Sequence, residues 1–142
     1  MIKVAQILAS KGSHIFSIAP DEPVLSAIEL MAEKGVGAVL VMKGDELVGV
    51  ISERDYARKI ILHGRASAQT GVWEIMSSPV ISVSPDDTVN SCMMLMTEKK
   101  IRHLPVVEKN VVVGVLSIGD LVKAVIEQQE REIAQLQNYI AG

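Results

Sequence analysis

Shifted by 65 positions, this chain aligns with itself. Pro20-Asp21 falls on Pro85-Asp86, Val24 on Val89, Ser26 on Ser91, Leu30-Met31 on Leu95-Met96 and Glu33-Lys34 on Glu98-Lys99. Further along, Val48-Gly49-Val50 falls on Val113-Gly114-Val115, Ser52 on Ser117 and Asp55 on Asp120. The match runs without a gap from Ile15–Tyr56 against Val80–Leu121. Unrelated βα units share an apolar rhythm, but they do not share identical polar residues over such a length. The chain therefore reads as a duplication, and a duplicated unit must find a partner for the face it cannot bury alone.

Each unit follows one grammar. An alternating segment comes first, Ile15-Phe16-Ser17-Ile18 or Val80-Ile81-Ser82-Val83, and predicts a short strand. After a Pro-Asp turn, apolar residues at 24, 27, 28 and 31, and at 89, 92, 93 and 96, predict a helix. The run Val36-Gly37-Ala38-Val39-Leu40-Val41-Met42 suits a buried strand, and Lys43-Gly44-Asp45-Glu46 suits a hairpin turn. A third strand over 47–51 leads into a second helix from about Ser52, and the second unit repeats this through Leu104–Leu116 and a helix from Ser117. The expected class is α/β (α+β), with two β-α-β-β-α repeats. The expected domains are 1–66, a first repeat with an N-terminal lead-in helix, and 67–128, a second repeat. A C-terminal amphipathic helix is expected over 121–140. The polar stretch 63–71 reads as a loop. Val72-Trp73-Glu74-Ile75-Met76 reads as a helical turn introducing the second repeat, the counterpart of Val4-Ala5-Gln6-Ile7-Leu8, with Trp73 expected to anchor it against the core.

Composition narrows the function. Over 142 residues, 49% are hydrophobic and 22% charged, a globular balance. Aromatics are only 3%, so the core is aliphatic, with 7 methionines as adaptable filler. The net charge of −3 offers no basic field for nucleic acid. The one cysteine, Cys92, excludes an intramolecular disulfide and aligns with Ala27 on a core helix face. No apolar run approaches bilayer length, and the start resembles no signal peptide, so a cytoplasmic protein without membrane or nucleic-acid partners is expected. His14, His63 and His103 lack zinc-ligand spacing, and no metal site is expected.

The pattern Gly-Val-Ile-Ser-Glu-Arg-Asp at 49–55 returns as Gly-Val-Leu-Ser-Ile-Gly-Asp at 114–120. One reading is a capping box, in which the Ser oxygen accepts from the amide three residues on. The other is a nucleotide site. A helix N-terminus favours phosphate, the Ser hydroxyl donates to a phosphate oxygen, and the Asp carboxylate accepts from both ribose hydroxyls. In that reading the Gly lets a ligand approach the strand end. No nucleophile accompanies a base, so binding rather than turnover is indicated and no catalytic residue is assigned.

With these two motifs, Pro20 and Pro85 at the first turns, and Lys-Ile-Arg-His-Leu-Pro-Val at 100–106, the sequence resembles a tandem pair of CBS domains, named after cystathionine β-synthase and also called a Bateman module. The resemblance spans about residues 12–128. It implies a disc-like pseudo-twofold module with two clefts for adenosine-containing ligands such as AMP, ATP, NAD or S-adenosylmethionine. In the family each cleft takes its Ser and Asp from one repeat and part of its adenine wall from the other. Carried over, one cleft uses Ser117 and Asp120, with Arg102 and His103 near phosphate and Phe16, Val36, Gly37 and Ala38 facing the base. The other uses Ser52 and Asp55, with Arg54 near phosphate and Ile81, Ile101 and Arg102 toward the base. The clefts differ, since Arg102-His103 is Gly37-Ala38 in the first repeat and Arg54 is Gly119 in the second.

Several side chains have plainer readings. Arg102 is at helical spacing from Glu98, and His103 suits a partly buried strand position. The stretch Arg54, Arg58, Lys59 and Arg65 either attracts anions or forms a solvated face. Ile126, Ile133 and Ile140, with Val122, Gln129 and Leu136 between them, form a heptad stripe that either caps its own domain or pairs with a second subunit. The expectation is a homodimeric sensor of adenine nucleotides, not an enzyme, acting on an unidentified regulated protein by ligand-linked population shift. The alternative is a ligand-independent oligomerisation and assembly module with vestigial clefts.

Overall fold

In a computed structural model, which describes residues 1–141, the chain forms two compact units, one of residues 14–81 and one of residues 1–13 with the described residues from 82 onward. The elements are α1 (Val4–Lys11), β1 (Ser17–Ile18), α2 (Val24–Lys34), β2 (Ala38–Lys43), β3 (Glu46–Ser52), α3 (Glu53–Tyr56), α4 (Val72–Ile75), α5 (Val89–Lys99), β4 (His103–Glu108), β5 (Val111–Ser117) and α6 (Ile118–Ala141). A π-helical turn, Ala57–Ile61, continues α3. The mixed helix and strand class expected from the sequence is the class observed.

The duplication persists at the level of register. In the first unit β1 runs parallel to β2, and β2 pairs antiparallel with β3, with Ile18 opposite Val41 and Ala38 opposite Ser52. In the second, β4 pairs antiparallel with β5, and His103 lies opposite Ser117. Each hairpin has an irregularity at the same place, between Val41 and Met42 and between Val106 and Val107. The first strand is shorter than the alternating pattern suggests. It survives as two residues in the first repeat and as one parallel bridge, Val83 to Val106, in the second. A strand held on one side only keeps just the residues whose partners are already fixed.

Each helix buries the face its periodicity defines. Val24, Ala27 and Met31 of α2 sit with Val39, Val41 and Ile51 in the core of the first unit. Val89, Cys92 and Met96 of α5 are buried in the second, with Leu104, Val106 and Leu116. Cys92 has no exposed surface, and burial, followed by the Asp87 charge, pushes its thiol up. This matches the expected buried residue. Gly35 closes α2 in the left-handed conformation, while Lys100 adopts it at the end of α5.

The lead-in segments are exchanged relative to the repeats that follow them. The sequence division at 66/67 gives α1 to the first repeat and α4 to the second. In the structure α1 lies in the unit of the second repeat, where Val4 N donates to Asp87 O at 2.9 Å and Val89 N to Ile2 O at 2.9 Å. The linker turn α4 lies in the unit of the first, where Val72 N donates to Glu22 O and Val24 N to Thr70 O, each at 2.8 Å. Val4 and Ile7 on one lead-in, and Val72 and Ile75 on the other, are buried in these borrowed cores. Trp73 does not anchor the linker; it is 61% exposed, and Val72 and Ile75 do that work.

Candidate functional site

Each Ser-x-x-Asp motif lies where the last strand of a hairpin turns into a helix. Strand pairing ends at Ser52 and at Ser117, and the chain must satisfy the amides that open the helix. In both repeats it does so in the same way. Glu53 N donates to Gly37 O at 3.0 Å, and Ile118 N to Arg102 O at 2.9 Å. Asp55 N donates to Ser52 Oγ, and Asp120 N to Ser117 Oγ, each at 3.2 Å. The carboxylates return the bond, with Ser52 N donating to Asp55 Oδ2 at 2.9 Å and Ser117 N to Asp120 Oδ2 at 2.8 Å. The capping box is therefore present at both corners. The amides of Arg54 and Gly119 take no part in these bonds.

The two corners then diverge. At Asp55 both carboxylate oxygens are engaged. Oδ2 also accepts from Ser52 Oγ at 3.0 Å, while Oδ1 accepts from Ser77 Oγ at 3.3 Å and pairs with Lys59 Nζ at 3.1 Å. Lys59 Nζ also donates to Ile75 O at 2.8 Å, and the Asp55 side chain is only 12% exposed. At Asp120 the Ser117 amide and Lys11 both act on Oδ2, with Lys11 Nζ at 2.7 Å, and the side chain is 22% exposed. Lys11 Nζ donates as well to Val115 O at 2.9 Å. Burial raises the Asp120 carboxyl, but the hydrogen bonds from Lys11 and the Ser117 amide outweigh it and hold the group below the usual carboxylate range.

The motif glycines serve packing rather than ligand approach. A Cβ at Gly49 would lie 2.5 Å from Met76 Sδ, and one at Gly114 would lie 2.6 Å from Leu8 Cδ2. The space beside each strand is filled by the borrowed lead-in segment, which corrects the reading of those glycines as an opening for a ligand.

Of the other residues singled out in the sequence, His103 faces Ser117 across the β4–β5 ladder, and Ala38 faces Ser52 across β2–β3. Gly37 and Arg102 contribute carbonyls to the helix starts of their own repeats. The Arg102 side chain is exposed and, among the described residues, forms no ion pair with Glu98. Phe16 stacks on His14 with ring centroids 6.4 Å apart, and Lys34 Nζ lies 5.5 Å from its ring centre. Phe16, Val36, Gly37, Ala38, Arg54 and Ile81 belong to the unit of the first repeat, Ile101, Arg102 and His103 to that of the second. Val36, Arg54, Ile81 and Ile101 are half-buried. The basic stretch near 54–65 is divided, because Lys59 is drawn to Asp55 and Arg65 pairs with Glu74 at 2.6 Å. Sequence reasoning missed Lys11 and Ser77. Neither lies in a repeated motif, so only the exchanged lead-ins reveal them.

The CBS domain family pattern matches twice, over residues 4–62 and 72–127. The chain is 38% identical to the mitochondrial CBS domain-containing protein CBSX3 of Arabidopsis thaliana, over 98% of this chain and 72% of the relative. It superposes on the structure of a CBS-domain protein from Burkholderia ambifaria, assigned to signal transduction, with a TM-score of 0.87 and 49% identity over 89% of this chain and 96% of that one. It also shares its fold with the CBS domain pair of protein MJ0100, solved with 5′-methylthioadenosine and S-adenosyl-L-methionine (TM-score 0.80, 21% identity, 90% and 98% coverage). Among the described residues, no helix is long and apolar enough to cross a membrane.

Proposed function

The chain belongs to the CBS-domain family as a tandem pair, and from that premise we propose that it is a regulatory module binding an adenosine-containing ligand of the AMP, ATP, NAD or S-adenosylmethionine class. Modules of this family are generally regulatory, and the pair in MJ0100 holds adenosine derivatives. The observation that carries the reading for this chain is the corner at Asp120. Its carboxylate is ionised, partly exposed, and held by bonds that act on one oxygen. Ser117, Asp120, Arg102 and His103 are the proposed ligand residues of the second repeat, and Ser52, Arg54 and Asp55 those of the first. Phe16, Val36, Gly37, Ala38, Ile81 and Ile101 are proposed as base-facing positions on the resemblance alone. The fully engaged Asp55 makes the second repeat the stronger site. Ligand binding would act by favouring the conformation it binds best.

A thermal-unfolding series with AMP, ADP, ATP, NAD, NADH and S-adenosylmethionine, with GMP as control, tests this. A ligand at one hundred times its dissociation constant stabilises by about 2.7 kcal/mol, a shift of several degrees. Asp120→Asn keeps an acceptor for the Ser117 amide and removes the charge, so its shift should vanish while its fold remains. Absence of any adenine-specific shift, or a shift untouched by Asp120→Asn and Asp55→Asn, sinks the proposal.

A second reading, assembly, is favoured by α6. Val122, Ile126, Ile133, Leu136 and Ile140 are all more than a third exposed on it. We propose that this stripe pairs with a second copy of the chain in a homodimer, which is compatible with ligand binding and would stand alone if the ligand sites prove empty.

A further inference from the structure

Both motif carboxylates carry a lysine, and in each case the ammonium bridges the carboxylate and a backbone carbonyl. Lys11 joins Asp120 to Val115 O, and Lys59 joins Asp55 to Ile75 O. The two lysines are not equivalents of each other. Where α1 is matched to the linker turn, Lys11 corresponds to Pro79, and where the repeats are matched, Lys59 corresponds to Ala124. Two unrelated positions thus deliver the same charge to the same group.

That arrangement constrains what can bind. The bonds from Lys11 and the Ser117 amide leave Oδ1 to one ribose hydroxyl, and a carboxylate that accepts both hydroxyls, one on each oxygen, brings the second to Oδ2, where it competes with Lys11 bonded at 2.7 Å. The displaced ammonium keeps only the Val115 carbonyl and is left short of a counter-charge. Lys11 is 37% exposed and sits on a flexible four-carbon stem, so its head can turn toward a bound ligand. A phosphate on that ligand replaces the charge Asp120 provided. A neutral nucleoside does not, and a sulfonium adds a repulsion.

Resting on the reading of Ser117 and Asp120 as a nucleotide site, we propose that Lys11 is a ligand-contacting residue of that site and selects phosphate-bearing nucleotides over neutral nucleosides and sulfonium compounds. The probes are AMP and adenosine, titrated by calorimetry into the full chain carrying Asp55→Asn, so that only the second repeat's site is read. The chain with Lys11 intact should bind AMP at least about tenfold tighter than adenosine. Lys11→Met should weaken AMP by about tenfold and leave adenosine unchanged or tighter, because Oδ2 is then uncontested. Lys11→Arg should restore the preference. A purely structural lysine would weaken both ligands together, and an unchanged ratio in Lys11→Met overturns the inference. Lys11→Gln serves as the second variant should Lys11→Met lose its native circular dichroism. If neither probe binds with Lys11 intact, or both bind as tightly after Asp120→Asn as before it, the nucleotide site itself fails and the inference falls with it.

Discussion

At the scale of single residues, Asp55 and Asp120 occupy equivalent places but are differently committed. Asp55 is locked by four groups drawn from Ser52, Lys59 and Ser77, whereas Asp120 is tied to its own corner and to one lysine. The shift at Asp120 gives a test of its structural role. Its folded carboxyl is held lower than that of the unfolded chain, so near pH 4 the unfolded state binds more protons and stability rises with pH. The contribution is complete above the ordinary carboxylate range and is lost as pH falls through the lowered folded value. For a pair this exposed it amounts to about 1 kcal/mol or less. Denaturant midpoints of the chain and of Asp120→Asn should therefore differ more at pH 7 than at pH 3. An equal gap at both pH values would show that the lost cap, not the charge, carries the effect.

The elements show a different kind of commitment. Both lead-ins carry the same apolar pair at the same spacing, and both repeats offer the same dock beside Asp87 or Glu22. The close approach of Leu8 to Gly114 and of Met76 to Gly49 then fixes each lead-in against its strand. Because α1 serves the second repeat, a cavity in it should be felt there. Val4→Ala empties a site with no exposed surface and should cost about 2 kcal/mol. In hydrogen exchange the amides of 103–117 should lose protection ahead of those of 38–52. Equal loss in both hairpins, or loss confined to the first, would contradict the exchange of lead-ins.

For the molecule as a whole, α6 is the α-helix that its own unit leaves least covered. Only Leu121 is buried along it, and it runs unbroken from Ile118, so the helix expected from Ser117 and the amphipathic stretch over 121–140 are one element. If the proposed homodimer forms through this stripe, the double substitution Ile126→Glu and Ile133→Glu should convert it to a monomer in sedimentation without loss of thermal stability in the rest of the chain. Those positions are 49% and 54% exposed, so the fold of one chain does not depend on them. A chain that sediments as a monomer before substitution refutes the dimer.

The sequence alone settled the duplication, the mixed α/β class, the helix faces around Met31 and Met96, the burial of Cys92, and the family, because each is written in local periodicity or in identical residues at a fixed shift. It also marked both Ser-x-x-Asp corners, though it could not separate a cap from a ligand site, since the same atoms serve either. What tertiary structure decided is everything that depends on which of two equal docks a segment takes. Two lead-ins with one apolar pattern are interchangeable on paper; only the folded chain assigns α1 to the second repeat. With that assignment come Lys11 on Asp120, Leu8 over Gly114, and the exposure of Trp73. The inequality of the two carboxylates follows in part from the same cause: Lys11 and Ser77 come from the lead-in segments, which no internal symmetry announces, whereas Lys59 lies one turn beyond Asp55 where the second repeat has Ala124.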